Sequence, residues 1–215
     1  MLDTERVARA ACLRAATAIG YDVADEFYLR TVGRDEKDTR RIFLQEYGAN
    51  FPYESFRTVW KKRRDELIAR DGLPIKPGAA ELIDYLRIRD VGLGVATSTG
   101  RQQATQMLIR VGLHDRFDTF AFGDEVMQGK PHPEIFLKVS DALGVAPQHC
   151  LVLEDSDAGI EGAHTAGMTV IAVPDLKPPS KRTQSLATAI CASLIEVREL
   201  LLKADAPLLR CRPTP

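Results

Sequence analysis

Glu154 and Asp155 stand side by side where a short apolar run, Cys150-Leu151-Val152-Leu153, stops. A run without alternation is how a parallel strand covered on both faces reads. In open α/β sheets ligands lie outside the carboxyl ends of the strands, so these carboxylates could hold a hard cation such as Mg2+ through oxygen. Ser156 and Asp157 follow as helix-start residues, ahead of the small residues Ala158, Gly159, Gly162 and Ala163. Lys130 lies in Gly129-Lys130-Pro131-His132-Pro133, a loop stiffened by its prolines. An ammonium brought to the same edge would set a fixed positive charge beside a phosphate. A third stretch, Val91 to Ala96, runs into Thr97-Ser98-Thr99-Gly100 just ahead of a helix. Hydroxyls and backbone N–H groups at such a turn attract phosphate.

Each feature alone has a plainer reading: capping acids, a surface lysine, cap hydroxyls. Gly92-x-Gly94 lacks the third glycine of a dinucleotide fingerprint. His114, His132, His149 and His164 have no metal-ligand spacing, and no serine sits in a Gly-x-Ser-x-Gly turn.

The elements that must position these residues alternate. The pattern predicts helices over 79–87, 101–111, 134–143 and 193–203, and strands over 91–96, 117–122, 150–153 and 169–173. Repeated β-α units imply a parallel, doubly wound sheet with right-handed crossovers. Ahead of them the chain reads as four helices without strands. Asp3 or Thr4 would cap the first, which stops at Gly20; Asp22 opens the second, Asp35 the third, and Pro52 sits in the first turn of the fourth. Lys61 to Arg64 on that last helix read as a solvated basic face. Gly72-Leu73-Pro74-Ile75-Lys76-Pro77-Gly78 marks the boundary.

The 215 residues suffice for a core with a smaller insertion, and a formal charge of −1 offers no basic tract for nucleic acid. Cys12, Cys150, Cys191 and Cys211 are far apart, as free thiols of a reducing cytoplasm would be. No apolar run approaches the roughly 18 residues of a membrane span, and Met1-Leu2-Asp3-Thr4-Glu5 does not read as a signal peptide.

Lys130-Pro131, with Glu154-Asp155-Ser156, Ala158-Gly159-Ile160 and Ala166-Gly167-Met168, resembles the third and fourth motifs of the haloacid dehalogenase (HAD) superfamily. The match is to its phosphatase and β-phosphoglucomutase-like branch, and Thr97-Ser98 resembles the second motif. The resemblance implies a HAD-like Rossmannoid core over 1–3 and 73–205 and a helical cap over 4–72; the tail over 206–215, with Pro207, Pro213 and Pro215, is expected to be disordered. It implies that Thr97 binds phosphate through its hydroxyl and Ser98 through its N–H. Lys130 would pair with the nucleophile and the transferring phosphoryl group. Asp155 would be a direct Mg2+ ligand, Glu154 a direct or water-mediated one. Arg34, after Gly33, would reach the distal end of the substrate.

The implied reaction is Mg2+-dependent hydrolysis of a small phosphorylated metabolite, a sugar phosphate in kind, through an aspartyl-phosphate. A sugar-phosphate mutase and a non-catalytic phosphate-binding protein are the alternatives. The first motif, a strand ending in Asp-x-Asp-Gly, is absent from the sequence. Asp3-Thr4-Glu5 resembles the segment that follows it in relatives, so Asp3 matches the hinge aspartate and the nucleophile would fall a few residues ahead of Met1. The expectation is a chain inactive as given, with its central strand missing and a gap in the sheet. Met1 is then expected to be an internal methionine of a longer natural protein. A monomer or weak dimer is expected, with no nucleic-acid or membrane partner.

Overall fold

A computed structural model describes residues 1–32, 34 and 36–203. The tail expected over 206–215, with Cys211, lies outside them, as do Gly33 and Asp35. The described chain divides into two compact units, one of Leu2–Pro74 with Asp175–Lys177, the other of Met1, Ile75–Pro174 and the chain from Pro178.

The first unit is helical: α1 (Thr4–Ala18), α2 (Asp25–Leu29), α3 (Glu36–Tyr47) and α4 (Tyr53–Asp71). Its apolar residues recur at helical spacing and meet in one core, where Cys12, Phe43 and Phe56 are fully buried. Trp60 donates its indole N–H to the Ala8 carbonyl at 2.8 Å, tying α4 to α1. Gly20, at φ +81°, ends α1 as a left-handed residue should. Two expected caps do not form. The Asp3 side chain makes no cap bond and pairs with Arg6 instead. The second helix starts at Asp25 and not Asp22, because Ala24 is extended and Val23 is buried in the core.

The second unit is α/β: α5 (Ala79–Ile88), β1 (Gly94–Thr97), α6 (Arg101–Arg110), β2 (Thr119–Phe122) and α7 (Glu134–Leu143) come first. They are followed by β3 (Leu151–Glu154), α8 (Asp157–Thr165), β4 (Thr169–Ala172), α9 (Lys181–Gln184), β5 (Ala189–Ile190) and α10 (Leu194–Lys203). Among the described residues the strands pair in parallel: β1 with β2, and β3 with β4 with β5. Among the described residues the two sheets are not hydrogen-bonded to each other. One apolar core nevertheless joins them: Ala96 and Ala121 of the first sheet share it with Val152, Val170 and Ala172 of the second, around Phe136 and Ile160. Gly94 is where α7 approaches most closely, since a Cβ there would overlap Val139. That glycine serves helix packing.

Candidate active site

The carboxyl ends of β1 and β3 converge on one side chain. Lys130 donates to the Ala96 carbonyl at 3.3 Å and forms an ion pair with Glu154. Both side chains are about nine-tenths buried, with 10% and 9% exposure. The ammonium also lies 4.8 Å from the centre of the Phe136 ring. Lys130 is held there by its loop, whose turn is fastened from α7. The Glu134 carboxylate accepts from the N–H groups of Met127 and Gln128 at 3.0–3.1 Å. These bonds hold its carboxyl below the ordinary value near 4.5. A cis peptide joins Lys130 to Pro131.

Glu154 is fixed from the other side as well. Its Oε2 accepts from the N–H groups of Asp155 and Ser156 at 3.1 and 3.3 Å and from the Ser156 hydroxyl at 3.0 Å. Ser156 in turn caps α8 by accepting from the Gly159 N–H. Space for the carboxyl exists because residue 159 is glycine; a Cβ there would overlap it. Both Glu154 oxygens are therefore occupied by protein donors. Asp155, the next residue, is exposed at the strand end. Asp157 turns away to anchor α9, accepting from the Ser180 N–H at 2.9 Å and from the Thr183 hydroxyl.

At the end of β1, Thr97 Oγ1 accepts from the Thr99 N–H at 3.2 Å, so its own hydrogen is left for another acceptor. Ser98 is exposed. The start of α6 is capped by a carboxylate from the segment after β2. Asp124 accepts from the Arg101 N–H with both oxygens, at 3.0 and 3.1 Å, and meets the positive end of the helix. Asp124 and Glu134 were invisible as site-builders in the sequence. An acid in a helix's first turn was the signal for Glu134; nothing local marked Asp124 as the cap of a helix that precedes it.

Arg34 lies in the helical unit, exposed on the rim of a polar cavity of about 220 Å³. Arg57 and Arg64 line the same cavity, together with Glu5, Glu36 and Tyr28. The Arg57 guanidinium bonds Glu36 at 2.8 Å and stacks 4.6 Å from the Trp60 ring centre. Burial, with Glu5 beside it, pushes the Tyr28 phenol well above its usual range.

Residues 1–173 match the family model described as haloacid dehalogenase-like hydrolase. The chain belongs to this family. Among HAD proteins it is 31% identical over 168 residues to the phosphorylated carbohydrates phosphatase of Thermotoga maritima, covering 78% of this chain and 77% of that one. It is 30% identical over 207 residues to a Drosophila melanogaster protein named for pseudouridine-5'-phosphatase activity, covering 92% and 87%. The crystal structure of CbbY from Rhodobacter sphaeroides in complex with phosphate superposes with a TM-score of 0.70 at 26% identity, over 92% and 91% of the two chains. This chain is thus a HAD-like α/β hydrolase with relatives that act on phosphorylated sugars and metabolites.

Proposed function

We propose that this HAD protein hydrolyses, or is the greater part of an enzyme that hydrolyses, phosphate monoesters of small sugar-like metabolites. The observation that carries the reading is the placement of one buried ammonium, Lys130, at the shared edge where β1 runs into Thr97 and β3 into Asp155. A phosphoryl group at that edge would meet the Lys130 charge, the Thr97 hydroxyl and the Ser98 N–H. Such fixed donors in a water-poor site stabilise charge as it develops on the transferring group.

The donor chemistry fits Mg2+ at Asp155, an exposed oxygen ligand; Mg2+ is commonly held by one or two carboxylates, waters and substrate phosphate. There it would supply charge neutralisation for the phosphate oxygens. Glu154, with both oxygens engaged, is proposed to hold Lys130 and Asp155 in register and to join the metal only through water. Among the described residues no group of three acidic, histidine or cysteine side chains is built to hold a metal unaided.

The covalent step needs a carboxylate nucleophile. The sequence contains no Asp-x-Asp-Gly run, and the carboxylate paired with Lys130 is Glu154, which is tied on both sides. We therefore infer that residues 1–215 bind phosphate but do not form the aspartyl-phosphate, and that a strand carrying that motif completes the enzyme. Arg34 is proposed to bind the non-reacting end of the substrate, so Arg34→Ala would raise KM with kcat little changed.

The experiment is phosphate release from a panel of sugar phosphates with Mg2+, using the chain with an Asp-x-Asp-Gly strand fused ahead of Met1. Thr97→Ala, Lys130→Ala and Asp155→Asn in that fusion should each lower the rate by about a hundredfold or more. Equal rates in all of them would contradict the reading.

A further inference from the structure

The turn that follows β1 is held from the end of β2. Thr97 and Phe122 are the last residues paired between the two strands. Beyond them the chains stay side by side, and the Gly123 N–H donates to the Thr99 carbonyl at 3.1 Å. The Thr99 N–H in turn donates to Thr97 Oγ1 at 3.2 Å, so Gly123 secures the peptide that orients the Thr97 hydroxyl. Residue 123 also lies against the Ser98 backbone. A Cβ there would stand 2.1 Å from the Ser98 carbonyl oxygen and 2.6 Å from its carbon, and a backbone has no rotamer by which to yield.

Asp124 fixes the far end of the same turn. Its two oxygens accept from the Arg101 N–H, and a Cβ at Gly100 would stand 2.9 Å from its Oδ2. The Arg101 side chain reaches back over the same segment, 4.6 Å from the Phe122 ring centre and paired with Glu125. Glu125 is anchored in turn. Its Oε2 accepts from the Phe122 N–H at 3.3 Å, and its carbonyl accepts from Lys138 of α7. Lys138 also pairs at 3.4 Å with Glu134, the carboxylate that fastens the Lys130 loop. One face of α7 therefore supports both the Thr97 turn and the Lys130 loop.

We propose that Gly123 and Asp124 are positioning residues, which set the Thr97 hydroxyl and the Ser98 N–H where a phosphate oxygen can meet both. Gly123 acts by having no side chain, and Asp124 by tying the start of α6 to the end of β2. Donors displaced by more than about 0.5 Å no longer serve a site that depends on fixed geometry. This inference rests on the reading of Thr97 and Ser98 as phosphate donors, so one arm of its test needs no phosphate.

The test uses the full chain carrying Asp124→Ala, Asp124→Asn or Gly123→Ala. Ser193→Ala serves as the control, since the Ser193 hydroxyl accepts from the Glu196 N–H at the start of another helix. Affinity for inorganic phosphate with Mg2+ is measured by titration calorimetry. Hydrogen exchange is followed at the Thr99 amide, with Leu108 inside α6 as reference. Asp124→Ala and Gly123→Ala should each weaken phosphate binding about tenfold, as loss of one hydrogen bond to a charged group does. Both should speed exchange at Thr99 by a similar factor and leave Leu108 unchanged. Asp124→Asn keeps an acceptor for the Arg101 N–H and should restore both readings, and Ser193→Ala should alter neither. Unchanged affinity in Asp124→Ala and Gly123→Ala overturns the proposal, as does an equal loss in Ser193→Ala, which would mean general loosening. Tighter binding by both Asp124 variants would mean that its charge repels phosphate, and overturns it too. No phosphate uptake by the unaltered chain would defeat the phosphatase reading alone. Positioning is then decided at Thr99, where unchanged exchange overturns it.

Discussion

At the scale of single residues, the pairing of Lys130 with Glu154 decides the most. Two opposite charges nine-tenths buried are stable only while both are present. Lys130→Met should lower unfolding free energy by roughly 3 kcal/mol, because it strands the glutamate. Adding Glu154→Met should recover part of that loss, and urea unfolding of the set measures the coupling. Glu134 makes a pH prediction. Its carboxyl titrates below its ordinary 4.5 in the fold because Met127 and Gln128 donate to the ionised form. The resulting stability is complete above the unfolded value and is lost as pH falls through the lowered folded one. Glu134→Gln should flatten the decline of the urea midpoint on that acid side; a decline as steep as that of the unaltered protein would refute this. The position of Lys130 in a loop and of Asp155 at a strand end was legible in the sequence. The direction of the Glu154 carboxyl was not, since it depends on contacts with Ser156 and Gly159 that only the folded turn creates.

At the scale of elements, the turn from β3 into α8 is built around the absence of a side chain at residue 159. Gly159→Ala would push the Glu154 carboxyl off Lys130 and should cost about 1–3 kcal/mol, read as a lowered melting temperature. Asp124→Ala should loosen the start of α6 by about 1 kcal/mol, as loss of a capping acid does. Long segments such as α4 and α7 were legible because several turns repeat one apolar stripe. α9, with four residues, and β5, with two, are too short to show a period and are fixed by tertiary bonds, among them Asp157 to Ser180 and Thr183. The strand into Thr97 begins later than its apolar run, because Leu93 spends its N–H on the Asp118 side chain and not on a neighbouring strand.

At the scale of the molecule, each compact unit has its own core, and the sole tryptophan reports on one of them. Trp60 sits in the helical core near Phe43, their ring centres 6.3 Å apart. Phe43→Ala should destabilise that unit by roughly 3–5 kcal/mol, seen as an earlier shift of tryptophan fluorescence. Alternation of strands and helices made the α/β class readable, while the separation of the strands into two sheets depends on pairings that sequence periodicity does not encode. The Lys130 edge is proposed to be a phosphoryl-transfer site completed by a strand that brings a nucleophilic aspartate. Its most direct test is Mg2+-dependent phosphate release from sugar phosphates by two proteins, residues 1–215 and the same chain with an Asp-x-Asp-Gly strand fused ahead of Met1. Turnover by the fused protein alone is expected. Equal turnover by residues 1–215 would place the attacking group elsewhere in the chain, and no turnover by either would contradict the hydrolase reading of this site.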